Sequence, residues 1–389
     1  MKILLFTDLF PTHQNPNHGI FIFQWAYHIA QKIDMTVYQA VWEDKSNPVT
    51  EETLEGFCNA FSKDPLPFRW IQRSIKYFPI DRIWIRNIQF LRKIKKEKNI
   101  KIADYDVIIG QMGCPGGYVA TKIAKYYNKP SIVGLRGSDV TRYLKTFVLG
   151  KIALWTYRNC TKIVTVSEDL KKRIIRKGIN ENKIHVIKNG INPIFRILDK
   201  ETSRKALQLP NTKIILFIGH LIKTKGIDYL IEALTNFDKN INFKLYLIGS
   251  GEEKENFIQI IKEKNLSEVA DFVGSVNHSE LVYWYNAADV LCLPSLREGI
   301  PNVILEALAC GTPVVATDIS NNSDIINKSN GILVEPKNSI QLASALKKVL
   351  SNTWDRTEIS ESVNNFNWNK NSIKYFELIK KVINNEKNI

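Results

Sequence analysis

SLREGIPNVILEALACGTPVVA, residues 295–316, holds a loop, a helix start, a helix stop and a new strand in immediate succession. The apolar run DVLCLP (289–294) before it reads as a buried strand, and TPVVAT (312–317) at its end reads as another. Pro301 suits a first helical position, because the N–H it lacks would have no intrahelical partner there. Gly311 suits a helix stop, since it takes a left-handed conformation without a Cβ penalty. The spacing predicts a helix over about 301–310, and strand–helix–strand in this order is a parallel α/β unit.

The same alternation extends in both directions. KIILFIG (213–219), KLYLIGSG (244–251) and VADFVGS (269–275) complete one series. KILLFT (2–7), MTVYQA (35–40), DYDVIIG (104–110), SIVGL (131–135), TKIVTVS (161–167) and HVIKNGI (185–191) form another. Short unbroken apolar strands belong to parallel sheets covered on both faces. The expected fold is α/β, with two Rossmann-like, doubly wound parallel-sheet domains facing across a cleft. The expected boundaries are 1–192 for the first domain, 193–368 for the second and 369–389 for a final helix. Periodicity lapses over 192–210, which reads as the linker, and residues 43–67 read as an insertion.

The chain has 389 residues, with 44% hydrophobic and 24% charged residues, enough for two full cores. Its net charge is +15, so anionic partners are favoured: a phosphorylated small molecule, an anionic membrane or nucleic acid. Five dispersed cysteines form no close pair, which fits a reducing compartment and neither a disulfide framework nor a zinc site. No targeting segment and no apolar run near the roughly 20 residues of a membrane span is visible. The expected location is cytoplasmic, with peripheral binding to the inner face of the plasma membrane. Basic residues are spread without a nucleic-acid module, so nucleic acid is not an expected partner. The six histidines have no metal-ligand spacing, and no metal or other cofactor is expected.

Open α/β sheets bind ligands beyond the carboxyl ends of their strands. The loop after 289–294 carries Glu298, Gly299 and Ile300. The helix start at Pro301, Asn302 and Val303 directs backbone N–H groups at the same region, a ready anion site. Glu306 lies about 6 Å further along the helix axis. In FIGHLIKTKGIDYLIEAL (217–234), Gly219 and His220 end a strand. Lys225 stands at the following helix start, where a cation neutralises a departing diphosphate. GSGEEK (249–254) mimics a dinucleotide fingerprint but lacks the third glycine.

The run Glu298, Gly299, Pro301, Asn302, Glu306, Ala307, Ala309, Gly311, Pro313, Val314, Val315, Ala316 closely resembles retaining glycosyltransferases of family 4, of the GT-B type. In that family the first glutamate contacts donor-sugar hydroxyls and the second the nucleotide ribose, and the backbone between them binds sugar and phosphates. The resemblance assigns these roles to Glu298, Glu306 and 299–303. The family's G-R-x-x-x-x-K-G reads here with His220 in the arginine position and with Lys225 and Gly226 kept; Lys223 is a candidate for the missing charge. Gly19 matches a glycine that lets a loop approach the donor phosphates. In LRGSDV (135–140), Arg136 replaces a histidine of many relatives and Asp139 follows, so both are candidate catalytic residues. Ser167, Glu168, Asn189 and Gly190 match strand-end segments. In relatives the final helix crosses back onto the first domain.

The resemblance implies a nucleotide-diphosphate sugar donor, a glycan or lipid-linked acceptor, and a role in cell-surface polysaccharide or glycolipid synthesis. Residues 69–101 are rich in lysine and arginine with interleaved aromatics, and Ile80, Trp84, Ile88 and Leu91 share one helical face. That pattern suits an anionic membrane surface, or a core-facing helix with a solvated basic back. Two other readings are a nucleotide-sugar epimerase on the same scaffold and a non-catalytic protein that binds nucleotide sugar or polyanion.

Overall fold

The computed structural model describes residues 1–12, 18–43, 65–76, 83–237, 241–298, 301–319 and 322–387. Two compact units are present: residues 1–190 together with the chain from Trp368 onward, and Ile191–Asn367.

The first unit is a seven-stranded parallel sheet. Its strands are β1 (Lys2–Thr7), β2 (Asp34–Glu43), β3 (Arg69–Lys76), β4 (Val107–Gln111), β5 (Ser131–Leu135), β6 (Lys162–Thr165) and β7 (Ile184–Val186). The spatial order is β3-β2-β1-β4-β5-β6-β7, so the direction of winding reverses at β1 and β4. Alternate residues of β1 serve opposite faces. Ile3 and Leu5 join Trp25, Val37 and Ile109 on one side. Leu4 and Phe6 join Tyr38, Phe90 and Val119 on the other. This two-sided burial is why the strand is apolar without a break. The helix Trp368–Lys387 closes the first face, where Tyr375 meets Trp25 edge-on at 5.1 Å.

The second unit contains β8 (Lys213–Ile218), β9 (Phe243–Ile248), β10 (Ala270–Gly274), β11 (Val290–Leu293), β12 (Val314–Thr317) and β13 (Gly331–Val334). Its order is β10-β9-β8-β11-β12-β13, and all pairs are parallel. The winding reverses at β8 and β11. Two parallel α/β domains are therefore the observed fold class.

Two local expectations need correction. The expected linker holds a helix, Lys200–Ala206, started by Asp199 accepting from the Thr202 N–H at 2.7 Å. Its polar residues conceal it because Arg204 is buried, donating to the Ala287 carbonyl and to Asp289. The basic stretch 69–101 divides between two elements. It contains the edge strand β3 and the helix Ile83–Lys96, with 77–82 outside the described residues. The helix buries Asn87, Phe90 and Ile94, while Ile88 stays exposed. The expected apolar face is thus rotated, and its Ile80 lies outside the described residues. The expected insertion also falls mostly outside them, at 44–64.

Candidate functional site

In the second unit, the loops that follow β8 and β11 are clipped together. The Leu296 N–H donates to the Thr224 carbonyl at 2.9 Å. Gly226 starts the helix Ile227–Thr235 at φ 65°, and a Cβ there would collide with the Pro294 carbonyl. Only glycine satisfies both the backbone angle and the close approach. The clip brings Lys225 to Glu298, with Nζ 2.5 Å from Oε1. The Ser295 hydroxyl donates to the same oxygen at 2.7 Å. Both charged side chains are mostly buried, at 18% and 11% exposure, so the pair attracts more strongly than a surface pair would.

The helix Asn302–Ala309 follows Pro301, with no side chain capping its start. The Ile304 N–H donates to the Pro301 carbonyl at 3.1 Å. At the far end the Gly311 N–H donates to the Leu308 carbonyl and the Thr312 N–H to the Ala307 carbonyl, with Gly311 at φ 72°. That is the Schellman stop, which satisfies the last carbonyls through a left-handed glycine. Gly299 and Ile300 lie outside the described residues.

Glu306 is buried, and other side chains hold its carboxylate. The Tyr285 hydroxyl donates to Oε2 at 2.8 Å, and His278 Nε2 lies 3.1 Å from Oε1. Phe195 packs edge-on against both the His278 and the Tyr285 rings. Burial, and then the neighbouring Glu306 charge, push the Tyr285 hydroxyl well above its ordinary pKa, so it remains a donor. His220 is exposed beyond β8. Lys223 is 79% exposed and 3.6 Å from Glu253, so it faces solvent. The glycines of GSGEEK have a packing purpose. A Cβ on Gly249 would meet the Gly219 carbonyl, and one on Gly251 the Leu221 backbone.

The first unit gathers a second polar group at the ends of β4 and β5. Arg136 Nε donates to Gln111 Oε1 at 3.0 Å, and its Nη1 to Asn189 Oδ1 at 2.6 Å. Its Nη2 is buried and has no partner among the described residues. Asp139 is fully buried and accepts from the backbone N–H groups of Gly113, Arg136 and Gly137. Asp139 therefore fixes two loops rather than presenting a free carboxylate. Gly19 stands at φ 61° before the helix Ile20–Ala30, where a Cβ would collide with the backbone of Leu9 and Phe10. The glycine is needed for that approach of two chain segments. Ser167 caps the helix Glu168–Ile175, accepting from the Leu170 N–H. Gly190 has Trp368 where a side chain would go.

Sequence patterning does not single out Tyr285, Gln111 or Asp8. Tyr285 sits in the aromatic run LVYWYNA, which signals only a core helix. Asp8 reads as the end of a strand, although its position just beyond β1 is a usable signal. Among the described residues no three His, Cys, Asp or Glu side chains cluster, and no helix is long and apolar enough to cross a membrane.

The sequence model described as glycosyl transferases group 1 matches residues 199–366, and that of glycosyltransferase family 4 matches residues 27–194. The chain belongs to the family 4 glycosyltransferases. The chain is 37% identical over 206 residues to a glycosyltransferase of Methanocaldococcus jannaschii, covering 51% of the chain and 53% of that protein. It thus spans about half the length of that curated relative. TuaC of Bacillus subtilis, a glycosyltransferase named for teichuronic acid biosynthesis, is 27% identical over 371 residues, 90% of the chain and 89% of TuaC. The glycosyltransferase fold matches the crystal structure of Anabaena HepE in complex with UDP-glucose, with a TM-score of 0.75 at 17% identity. That match covers 98% of the chain and 100% of HepE. The two parallel α/β units therefore have the GT-B fold.

Proposed function

We propose that this enzyme transfers a sugar, with retention of anomeric configuration, from a nucleotide-diphosphate sugar to a glycan or lipid-linked acceptor in cell-surface polysaccharide or glycolipid synthesis. The observation that carries the reading is the Lys225–Glu298 pair, held where the winding of the second sheet reverses and just ahead of the uncapped helix start. A uridine diphosphate donor is supported by HepE, whose structure contains UDP-glucose. A cell-surface product is supported by TuaC, named for teichuronic acid biosynthesis.

In this mechanism the acceptor oxygen attacks the anomeric carbon on the face from which the diphosphate leaves. The bond from that carbon to the phosphate oxygen breaks as the new glycosidic bond forms. The departing phosphate oxygen takes the acceptor proton. Lys225 and the helix start stabilise the charge that grows on the diphosphate, interactions strongest in the transition state. Glu298 accepts hydrogen bonds from the donor sugar, and donor binding draws Lys225 toward phosphate. Glu306 holds the ribose while Tyr285 and His278 fix its orientation. Arg136 holds an acceptor hydroxyl or a phosphate oxygen through Nη2, which has no partner among the described residues, and Asp139 positions Arg136. The exposed His220 borders the phosphates. No metal takes part.

Thermal-shift and hydrolysis measurements across a panel of nucleotide sugars test this reading. At least one uridine diphosphate sugar is expected to stabilise the protein and to be consumed. No response to any donor would defeat it. A membrane-anchored acceptor fits the basic helix Ile83–Lys96, which exposes Arg92, Lys95 and Lys96 beside Ile88. Flotation with anionic and neutral liposomes tests that part; equal binding to both counts against it.

The His278–Glu306 contact favours one second reading, a nucleotide-sugar epimerase using that pair as acid and base. Incubating a donor without acceptor separates the two, because only an epimerase releases an isomeric nucleotide sugar.

A further inference from the structure

We propose that Asp8 is an acceptor-binding residue whose Oδ1 takes a hydrogen bond from a hydroxyl of the sugar being extended. The inference rests on the glycosyltransferase reading above and names a contact on the acceptor side of the reaction.

Asp8 follows β1, the strand at which the winding of the first sheet reverses, and ligands of open α/β sheets lie beyond strand ends at such a point. The loop behind it is pinned. Gln39 Nε2 donates to the carbonyls of Phe10 at 2.9 Å and Pro11 at 3.2 Å. Gln72 Nε2 donates to the Pro11 carbonyl at 3.0 Å and to Gln39 Oε1 at 2.7 Å. Both glutamines are buried, a costly placement that these bonds offset while holding the Asp8 loop still.

The two oxygens of Asp8 have unequal surroundings. Trp42 Nε1 donates to Oδ2 at 3.1 Å. Oδ1 is buried with no partner among the described residues. A carboxylate oxygen without a donor is destabilising, and such an atom at a ligand-binding strand end is explained by a donor that arrives with the ligand. The charged and titratable groups facing it are Arg86 from the helix Ile83–Lys96, Cys114 after β4 and Tyr143 after the helix Ser138–Thr141. The Arg86 guanidinium lies over the Trp42 ring, 5.1 Å from its centroid, which fixes the indole that orients Asp8. Burial raises the Asp8 carboxyl to about 6, against the Trp42 bond and the Arg86 charge, so it is ionised and accepting at neutral pH. A carboxylate here selects a neutral hydroxyl donor and repels a phosphate at the same point.

The probes are p-nitrophenyl glycosides of glucose, galactose, N-acetylglucosamine and N-acetylgalactosamine, with binding to the full chain read by saturation-transfer NMR. At least one is expected to bind the wild type, and Asp8→Asn to weaken it about tenfold or more, as for loss of a hydrogen bond to a charged group. Asp8→Asn keeps an acceptor for Trp42, so a purely structural Asp8 would leave probe binding unchanged. Wild-type binding is also expected to weaken as the pH falls through about 6, a second reading that needs no variant. Unchanged probe binding in the variant, or no probe bound by the wild type, overturns the assignment. Loss of UDP-glucose hydrolysis in the wild type, with probe binding still dependent on Asp8, defeats the donor reading instead.

Discussion

Lys225 Nζ sits 2.5 Å from Glu298 Oε1, joining the loop after β8 to the loop after β11 across the point where the second sheet reverses its winding. Removing the amine leaves a mostly buried carboxylate without its counter-charge and removes the cation proposed for the diphosphate. Lys225→Ala is expected to lower kcat by a factor on the order of 10²–10³. Glu298→Gln keeps an acceptor for Ser295 and is expected to raise the donor KM. Steady-state kinetics with circular dichroism as a folding control measure both. Normal turnover in Lys225→Ala rejects its catalytic assignment.

Gly226 makes that meeting of loops sterically feasible. Gly226→Ala places a Cβ against the Pro294 carbonyl at a φ of 65°. It is expected to depress donor hydrolysis and to lower Tm. The readout is the ratio of the two losses in the same preparation.

Glu306 tests a different bond. Tyr285→Phe removes the donor to Glu306 Oε2 while preserving ring packing against Phe195. The buried carboxylate then loses a hydrogen bond, at a cost of about 1–3 kcal/mol in stability. Denaturant unfolding at neutral pH measures this, and a donor KM that rises in parallel supports the ribose-binding role.

Asp139→Ala removes the acceptor of three backbone donors, those of Gly113, Arg136 and Gly137. Each buried donor left unpaired costs about 1–3 kcal/mol, so this variant is expected to unfold well below the wild-type temperature. Asp139→Asn retains one accepting oxygen and should be less damaged. Calorimetry ranks the three proteins.

Asp8 gives stability a pH signature. Its carboxyl is raised by burial from 3.8 to about 6, so the folded state holds the proton more tightly than the unfolded state. Its contribution is fully present below pH 3.8 and is lost as pH rises through about 6. Asp8→Asn, which cannot ionise, is expected to melt above the wild type at pH 8. The gap should close between pH 6 and pH 4. Parallel melting curves across that range provide the check.

The helix Asn302–Ala309 is legible in the sequence because its signals are local: Pro301 before its start and Gly311 at its stop act within a turn of where they sit. The apolar strands are legible for a similar reason, since burial on both faces leaves an unbroken run. Strand β3 is not, because Gln72 and Arg73 look like surface residues. They are buried only because Gln39 and Glu97 bond them, from distant parts of the chain. The helix Lys200–Ala206 is hidden on the same grounds, with Arg204 answered by Asp289.

Amino-acid order alone was enough for the fold class and for the family. Periodicity, capping and a dense motif all act over short stretches of chain. Tertiary contacts alone assigned Asp139 to backbone donors, held Glu306 between Tyr285 and His278, and paired Lys225 with Glu298. A side chain's hydrogen-bond partner depends on which strand ends the folded sheet makes neighbours. That adjacency is a property of the crossovers, and residues 73 positions apart carry no local record of it.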